Sequence, residues 1–246
     1  MLVHLGYIHH LARYPVKSMA GIATQSALLG WHGLSGDRRF ALRRLKDKSG
    51  FPWLTAGRLP ELILYQPLGF NADADEPSPT HIRTPEGIEL PVEGEELQEI
   101  IAQKFGAPLE LMKLKHGIFD EGVLSVINLA TISAIGREVG QDLDIRRFRA
   151  NIVIASDTTE PFLEDGWVGG RMVFGGDDAG PALNVTTPDE RCMMINLDPD
   201  TAKQNPLVMK AVARLNRNNA GAYATVARTG KLCVGQSVDL IIETQD

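Results

Sequence analysis

Arg191 and Cys192 are the neighbouring residues whose types point most directly to chemistry. A cysteine thiolate is a soft, strong metal ligand, and an adjacent guanidinium favours the thiolate form of the thiol. A single cysteine followed by Met193, Met194 and Ile195 is also typical of a small buried hydrophobic side chain. The residues alone therefore leave two interpretations of Cys192, a metal ligand or a core residue.

Positively charged side chains cluster where the sequence predicts loops or the ends of strands. They are Lys17 beside Ser18, the pair Arg38 and Arg39, and the group Arg146, Arg147 and Arg149 shortly before Asn151. Arginine offers a fork of N–H donors that suits phosphate, so the pattern predicts an anion-binding site. The alternatives are a solvated surface charge for Lys17 and pairing with nearby carboxylates for the arginines.

Other chemical signals are weaker. The six histidines lack the His-x-x-x-His spacing of helical zinc sites. Only His32, between a glycine-rich turn and the paired arginines, is retained as a residue that could line a site. Cys233 lies in an alternating stretch and is interpreted as structural. The sequence contains neither a phosphate-binding glycine loop nor a Gly-x-Ser-x-Gly nucleophile elbow.

Composition limits the class of protein. The 246 residues are 43% hydrophobic and 23% charged, which is ordinary for a globular chain with a sizeable core. The formal net charge of −6 argues against a general nucleic-acid binder. No signal peptide is recognised at the start, and no apolar run approaches the ~18 residues that cross a bilayer. With two cysteines, too few for a disulfide framework, the sequence predicts a soluble, cytoplasmic protein without a membrane partner.

The first half of the chain has the pattern of a mainly β domain with one helix. Predicted strands occupy residues 1–16, ended by a proline, then 62–65 and 109–114, and a hairpin joins 81–84 to 88–92. Residues 95–105 carry apolar side chains at helical spacing and are followed by a glycine.

The second half mixes short strands with two helices. Asn128 is placed to cap a helix that ends at Gly140, and residues 205–217 predict another helix with proline at its start. Predicted strands cover 125–127, 152–154, 171–174, 182–185 and 192–197. We expect residues 222–227 and 231–242 to pair as a closing hairpin.

Five segments in this order resemble the MOSC proteins, named for the C-terminal domain of molybdenum cofactor sulfurase. The most specific segments are residues 14–18 (YPVKS), 36–40 (GDRRF), 148–154 (FRANIVI), 191–192 (RC) with 198–201 (DPDT), and the closing 221–223 (GAY) with 234–238 (VGQSV). The resemblance is to two-domain members such as the mitochondrial amidoxime-reducing component and its bacterial relatives. It implies a mainly β (α+β) fold, with an N-terminal β-barrel domain at 1–115 and a MOSC β-barrel domain with peripheral helices at 116–246.

The resemblance implies a role for each matching residue. Cys192 is expected to be the protein ligand of molybdenum in a molybdopterin cofactor. The expected cofactor-binding residues are Lys17 and Ser18 at the phosphate end, Arg38 or Arg39 from the first domain, Arg149 and Asn151 on the pterin, Asn128 and Thr131 as hydroxyl or backbone contacts, Arg191 beside the ligand, and Tyr223 as an aromatic wall. Such a cofactor is strongly anionic, so a cradle of Lys, Arg and backbone N–H groups agrees with it. Because each domain would contribute one wall of the site, neither domain is expected to work alone.

Two positions depart from the family pattern. Gly57 stands where many relatives have an arginine, with Arg58 one position later, so whether Arg58 replaces that arginine stays open. Ala150 replaces a proline common between the arginine and the asparagine of the 149–151 segment, which loosens the turn but removes no ligand.

The function implied by the resemblance is the reduction of N-hydroxylated small molecules by two-electron oxygen removal. Two cysteines cannot ligate a [2Fe–2S] cluster, so electrons are expected from a separate ferredoxin, flavodoxin or cytochrome-type protein with its reductase. Pyridoxal phosphate binding is a further property that the family brings. The alternatives are a sulfur carrier or cofactor-handling protein with a persulfide on Cys192, and a module that only binds a phosphorylated ligand.

Overall fold

The computed structural model describes residues 2–242 apart from 72, 73, 75, 76, 116, 177 and 178. Its strands are β1 (Leu2–Arg13), β2 (Ile22–Thr24), β3 (Ser26–Gly30), β4 (Gly33–Leu34), β5 (Phe40–Arg44), β6 (Gln66–Leu68), β7 (His81–Arg83), β8 (Glu89–Pro91), β9 (Leu109–Lys113), β10 (Leu124–Asn128), β11 (Ile152–Ser156), β12 (Arg171–Phe174), β13 (Ala182–Glu190), β14 (Asn219–Arg228), β15 (Gly230–Cys233) and β16 (Ser237–Ile241). Its α-helices are α1 (Glu95–Phe105), α2 (Leu129–Val139) and α3 (Pro206–Asn216). Short 3-10 helices cover Pro60–Leu64, Ile145–Phe148, Leu163–Trp167 and Met193–Asn196. The mainly β prediction with peripheral helices is confirmed.

Seven strands form a closed barrel. Their order is β11-β10-β14-β13-β12-β16-β1, and pairing of β1 with β11 closes the ring, with β2 attached to the far end of β1. The interior is filled by alternate side chains of these strands, among them Ile8, Leu124, Phe174 and Leu183. The first strand of the chain therefore shares its barrel with strands from the second half.

Glycine is required where β1 crosses β11. Gly6 has φ +136°, and a Cβ there would lie far inside van der Waals contact with the carbonyl oxygen of Ala155. The register shifts between His4 and Gly6 on the β16 side and between Ile8 and His10 on the β11 side. These irregularities bend β1 so that it can pair with both neighbours.

The first half builds a smaller unit with its own core. The hairpin of β7 and β8 and helix α1 form as predicted, and α1 ends at Gly106 in a left-handed conformation. The predicted strand at 62–65 is wrong, because residues 60–64 form a 3-10 helix. Pro60 fixes a helical start there, and burial of the consecutive Leu62 and Ile63 suits a helical turn better than an alternating strand.

The second half confirms both predicted helices. Asn128 accepts a hydrogen bond from the N–H of Ala130 at the start of α2, which ends at Gly140, and Asn205 caps α3 in the same way. No helix of the described residues is long and apolar enough to cross a membrane.

Two strand predictions in this half are wrong. Residues 193–196 form a 3-10 helix, because the apolar run there buries Ile195 but leaves Met193 exposed. The closing hairpin does not form, because a turn at Gly235, φ +84°, divides the predicted 231–242 strand. Strand β15 pairs with β3, β16 pairs with β1 and β12, and β14 pairs with β10 and β13 instead.

Candidate active site

A cleft of about 570 Å³ lies where the two halves of the chain meet, and most of the predicted site residues line it. These are Lys17, Ser18, Arg38, Arg58, Arg149, Arg191, Cys192 and Tyr223. The structure therefore brings together side chains that are up to about two hundred residues apart in sequence, from both predicted domains.

Cys192 presents an accessible thiol to this cleft. It lies between the end of β13 and the 3-10 helix Met193–Asn196, with extended backbone, and its side chain is exposed. Interpretation of Cys192 as a buried core residue is therefore wrong. In the described part of the chain no group of three His, Cys, Asp or Glu side chains is placed to hold a metal ion. A metal at Cys192 would need most of its ligands from another molecule.

Arg149 is the cation whose environment most clearly points to a ligand. Its backbone is left-handed, with φ +51°, and its guanidinium stacks on the Tyr14 ring at 4.3 Å and donates to the Met19 carbonyl at 2.6 Å. Among the described residues it has no ion pair with a carboxylate. Burial lowers the pKa of Arg149, and the positive charge of Arg38 adds to that effect. A buried guanidinium without a counter-ion costs free energy, which an anionic ligand would recover.

Lys17 faces the same cleft beside Ser18. Its ammonium donates to the Phe119 carbonyl at 2.9 Å and lies 3.4 Å from the Asp120 carboxylate. Burial lowers the pKa of Lys17, although Asp120 opposes the shift. The Ser18 hydroxyl contacts the sulfur of Met194 at 3.7 Å, so the loop after the first strand rests on the helix that follows Cys192.

Arg38 holds the two halves together. Its guanidinium pairs with Asp37 and Asp120, each at 2.5 Å, and also donates to the Asn151 side chain at 2.8 Å and the Arg149 carbonyl at 3.1 Å. Most of its N–H groups are therefore engaged within the protein. The direct result is that Arg38 fixes the backbone at Arg149.

Asn151 lies beneath the cleft and does not line it. Its carbonyl oxygen accepts from Arg38 and from the N–H of Ser125, and its amide donates to the Ala12 carbonyl at 3.2 Å. A fully buried asparagine with these partners ties β1, β10 and the Arg149 turn to one another. Its role in the structure is to support the cation cluster.

The wall next to Cys192 contains a buried carboxylate. Asp189 accepts from the Ser125 hydroxyl at 2.6 Å, pairs with Arg191 at 3.0 Å and interacts with the Tyr223 hydroxyl. Burial raises the pKa of Asp189 and of Tyr223. Arg191 also donates to the carbonyls of Ala220 and Phe148, both at 2.6 Å. Arg191 is thus a structural support of the cysteine loop as well as part of the cleft wall.

Besides Asn151, three predicted cofactor-binding residues lie outside the cleft. Arg39 points to the opposite side of its segment, where it donates to the Gly117 carbonyl at 2.7 Å and lines a separate cleft together with His32. Asn128 is committed to capping α2 and to the Glu160 carbonyl, and the buried Thr131 donates to Glu164 at 2.9 Å. Helix formation therefore turns Asn128 and Thr131 away from Cys192.

Sequence reasoning missed the carboxylates of the cleft. Asp189 and Glu190 directly precede the Arg191–Cys192 pair, so their position beside a charged site was a usable signal. Asp120 carried no such signal, because it lies in an irregular segment whose approach to Lys17 and Arg38 depends on the tertiary fold.

Comparison with known families matches both halves of the chain. A family model described as MOSC N-terminal beta barrel domain matches residues 5–106, and one described as MOSC domain matches residues 113–239. The crystal structure of the YuaD protein from Bacillus subtilis superposes with a TM-score of 0.51 at 15% identity, covering 99% of this chain and 98% of that one. That similarity shows a shared fold.

Curated relatives match at low identity. Molybdenum cofactor sulfurase of Drosophila grimshawi is 27% identical over 250 residues, covering 83% of this chain and 30% of that protein. The protein of the same name from Drosophila mojavensis is 26% identical over 244 residues, with the same two shares. The chain spans less than a third of the length of these relatives.

Proposed function

Since the chain belongs to the MOSC family, we propose that it works with the molybdenum cofactor, as the reductase that removes oxygen from N-hydroxylated small molecules. The name of the Drosophila relatives, molybdenum cofactor sulfurase, supports a function related to that cofactor. The reaction R–NHOH + 2e⁻ + 2H⁺ → R–NH₂ + H₂O takes its electrons from a separate electron-transfer protein and its protons from solvent.

The observation that carries the proposal is Arg149, a part-buried guanidinium without a carboxylate partner among the described residues, in the cleft that also exposes the Cys192 thiol. Arg149 can bind an anionic group, and the Cys192 thiol can bind a soft metal. A cleft that contains both side chains suits a bound molecule with an anionic group and a soft metal centre. A molybdopterin with its dithiolene and phosphate has both.

The residues present fit this group. Among the described residues the cleft provides the accessible Cys192 thiol and no metal-ligand cluster, so the dithiolene sulfurs would provide the other soft donors. Lys17 and Arg149 would hold the anionic part, while Arg38 and Asn151 keep Arg149 in place. When bound, the cofactor would supply the two-electron chemistry, and the protein would supply position, charge and exclusion of water.

Arg58 is proposed as a further contact. It lines the cleft, is exposed, and has no ion pair among the residues that the structure describes. Its neighbour Gly57 packs close to Met193, where a Cβ would lie 3.3 Å from the sulfur. A glycine at 57 therefore leaves room for the methionine, and Arg58 is the cation that can still reach the cleft from this segment.

The division into domains at 1–115 and 116–246 is kept as a proposal. The cleft takes Lys17 and Arg38 from the first segment and Cys192 from the second, and β1 completes the barrel of the second. We therefore propose that neither segment binds the cofactor alone.

The test is the molybdenum and pterin content of protein purified from cells that make the cofactor. Wild type is expected to contain near-stoichiometric molybdenum and pterin. Cys192→Ala should lose molybdenum, and Arg149→Gln should lose both. Cys233→Ala, which changes the other cysteine outside the cleft, should match wild type. Wild type without molybdenum, or Cys192→Ala with full molybdenum, would contradict the proposal.

A sulfur-carrier function is the second candidate, favoured by the exposure of Cys192, which directly follows Arg191 in sequence, and by the sulfurase name of the relatives. In that case Cys192 would bear a persulfide and the protein would not reduce substrates. Mass spectrometry that finds a persulfide on Cys192, with no reduction of benzamidoxime by any electron donor, would favour this function over the reductase.

A further inference from the structure

We infer that Asp120 determines which anions the cleft accepts, because its carboxylate stands between Lys17 and Arg38 as a counter-ion that an anionic ligand must displace. The inference rests on the proposed anion-binding function of the cleft. The Asp120 carboxylate lies 2.5 Å from Arg38 Nε and 3.4 Å from Lys17 Nζ. Lys17 lines the cleft, and displacement of the Asp120 carboxylate would free Arg38 Nε for an incoming anion.

Asp120 is not needed to neutralise the charge of Arg38. Asp37 already pairs with Arg38 at 2.5 Å, is completely buried, and also accepts from the N–H of Tyr14 at 2.6 Å. Asp37 therefore serves the fold. The side chain of Asp120 is 24% exposed and lines the cleft, so its charge acts on whatever enters.

Asp120 stays ionised in this position. Burial alone would raise its pKa, but the positive charges of Arg38 and Lys17 hold the pKa of the Asp120 carboxyl below its ordinary value. A negative charge is thus present in the cleft at neutral pH.

The backbone around Asp120 is held, so the carboxylate cannot leave with it. The N–H of Phe119 donates to the Arg38 carbonyl and the Phe119 carbonyl accepts from Lys17, both at 2.9 Å. The Phe119 ring packs edge-on against Trp53 at 4.7 Å between centroids. A ligand can displace the carboxylate only by rotation of the Asp120 side chain, so the charge remains close to the bound anion.

Selectivity follows from Coulomb's law. The Asp120 carboxylate stays near the bound anion, and its repulsion grows with the negative charge of that anion. It therefore weakens the binding of a multivalent anion more than that of a monovalent one. Asp120 would therefore favour anions of low charge, or anions that bring a hydrogen-bond donor to meet the carboxylate.

The test is calorimetric titration of the full chain with two probes, pyrophosphate and methanesulfonate. Asp120→Asn is expected to bind pyrophosphate on the order of tenfold more tightly than wild type does, with a smaller gain for methanesulfonate. Asp142→Asn, which removes an exposed carboxylate outside the cleft, should resemble wild type. Asp120→Glu, which keeps the charge, should show no gain in pyrophosphate affinity. An unchanged or weaker pyrophosphate affinity in Asp120→Asn, or an equal gain for both probes, would overturn the inference.

Two further variants separate the inference from the proposed function. Asp120→Ser gives a second neutral side chain, so the inference stays testable if Asp120→Asn does not fold. If Arg149→Gln loses pyrophosphate binding and Asp120→Asn shows no gain, the inference about Asp120 is wrong, whereas the proposal that the cleft binds anions stands. Failure of wild type and all variants to bind either probe would overturn both.

Discussion

Arg38 and Asn151 are 113 residues apart in sequence, and the guanidinium of the first donates to the side-chain oxygen of the second at 2.8 Å inside the protein. This bond joins the segment after β4 to the turn that presents Arg149, and Arg38 also bonds the Arg149 carbonyl. The position of Arg149 in the cleft therefore depends on a contact between the two halves.

Replacement of Asn151 should destabilise the fold strongly. Asn151→Ala leaves the Ser125 N–H, the Ala12 carbonyl and part of the Arg38 guanidinium without partners in a buried site, each worth about 1–3 kcal/mol. We expect the free energy of unfolding to fall by about 3 kcal/mol or more in denaturant titrations. Asn184→Ala, which removes an asparagine bonded to exposed Arg171, should cost less than about 1 kcal/mol. Equal effects of the two changes would contradict the proposed support role.

Arg149 should contribute to anion binding but little to the stability of the ligand-free protein. Arg149→Gln removes a part-buried charge that has no carboxylate partner among the described residues, so the recovered desolvation cost offsets the lost Tyr14 stacking and the Met19 bond. We expect the free energy of unfolding to change by less than about 1 kcal/mol, while pyrophosphate affinity falls by about tenfold. Arg171→Gln, at an exposed position outside the cleft, should leave the affinity unchanged. A large loss of stability without loss of binding would show that Arg149 is structural.

Glu164 should make stability fall as pH rises. Burial raises the pKa of Glu164 to about 7 from an ordinary value of 4.5, in a site where it accepts from Thr131 and from the N–H of Gly221. Because the folded state binds this proton more tightly than the unfolded state, stability from this group is present below pH 4.5 and is lost between pH 4.5 and about 7.

The measurement for Glu164 is the difference in unfolding free energy between wild type and Glu164→Gln. Glutamine has the shape and neutrality of protonated Glu164, with one oxygen that accepts and one group that donates, so the difference should shift in favour of the variant by about 3 kcal/mol between pH 4.5 and 8. Asp165→Asn, at the exposed neighbouring carboxylate, is the control and should show no such shift. A constant difference across this range would refute the raised pKa.

Gly6 should tolerate no side chain. Gly6→Ala adds a Cβ that collides with the Ala155 carbonyl oxygen and forces alanine to φ +136°, so β1 and β11 cannot pair as they do. We expect a loss of about 3 kcal/mol or more, seen as a lower thermal midpoint or as insoluble protein. Gly50→Ala is the matched control, because a Cβ there meets nothing within 4 Å.

Periodic patterns and caps were readable from the sequence, whereas contacts between distant segments were not. Helices α1, α2 and α3 follow from apolar spacing bounded by Asn128, Asn205 or a terminal glycine. Residues 193–196 were misread because a short apolar run without a period fits a strand or a helical turn equally well.

The site was predictable in part for the same reason. Residue types indicated cations near Cys192, but the choice between Arg38 and Arg39 depends on the left-handed backbone of Arg38, φ +46°, which no pattern predicts. The resemblance assigns Asn128 and Thr131 to the cofactor, but Asn128 caps helix α2 and Thr131 donates to Glu164 instead. Asp120 could be located only in three dimensions, from its contacts with Lys17 and Arg38.

The closure of the barrel by β1 also has a consequence during synthesis. This strand is synthesised before its partners β11 and β16, which follow about 140 and 230 residues later. Until they emerge, most of Leu2–Arg13 lacks its strand partners and its apolar face lacks cover, although β2 can already pair with residues 11–13, so this part of the nascent chain is exposed to aggregation. Such long-range pairing is also slow to form, so trigger-factor-like chaperones that shield nascent strands should raise the yield of this protein more than that of a helical chain of equal length.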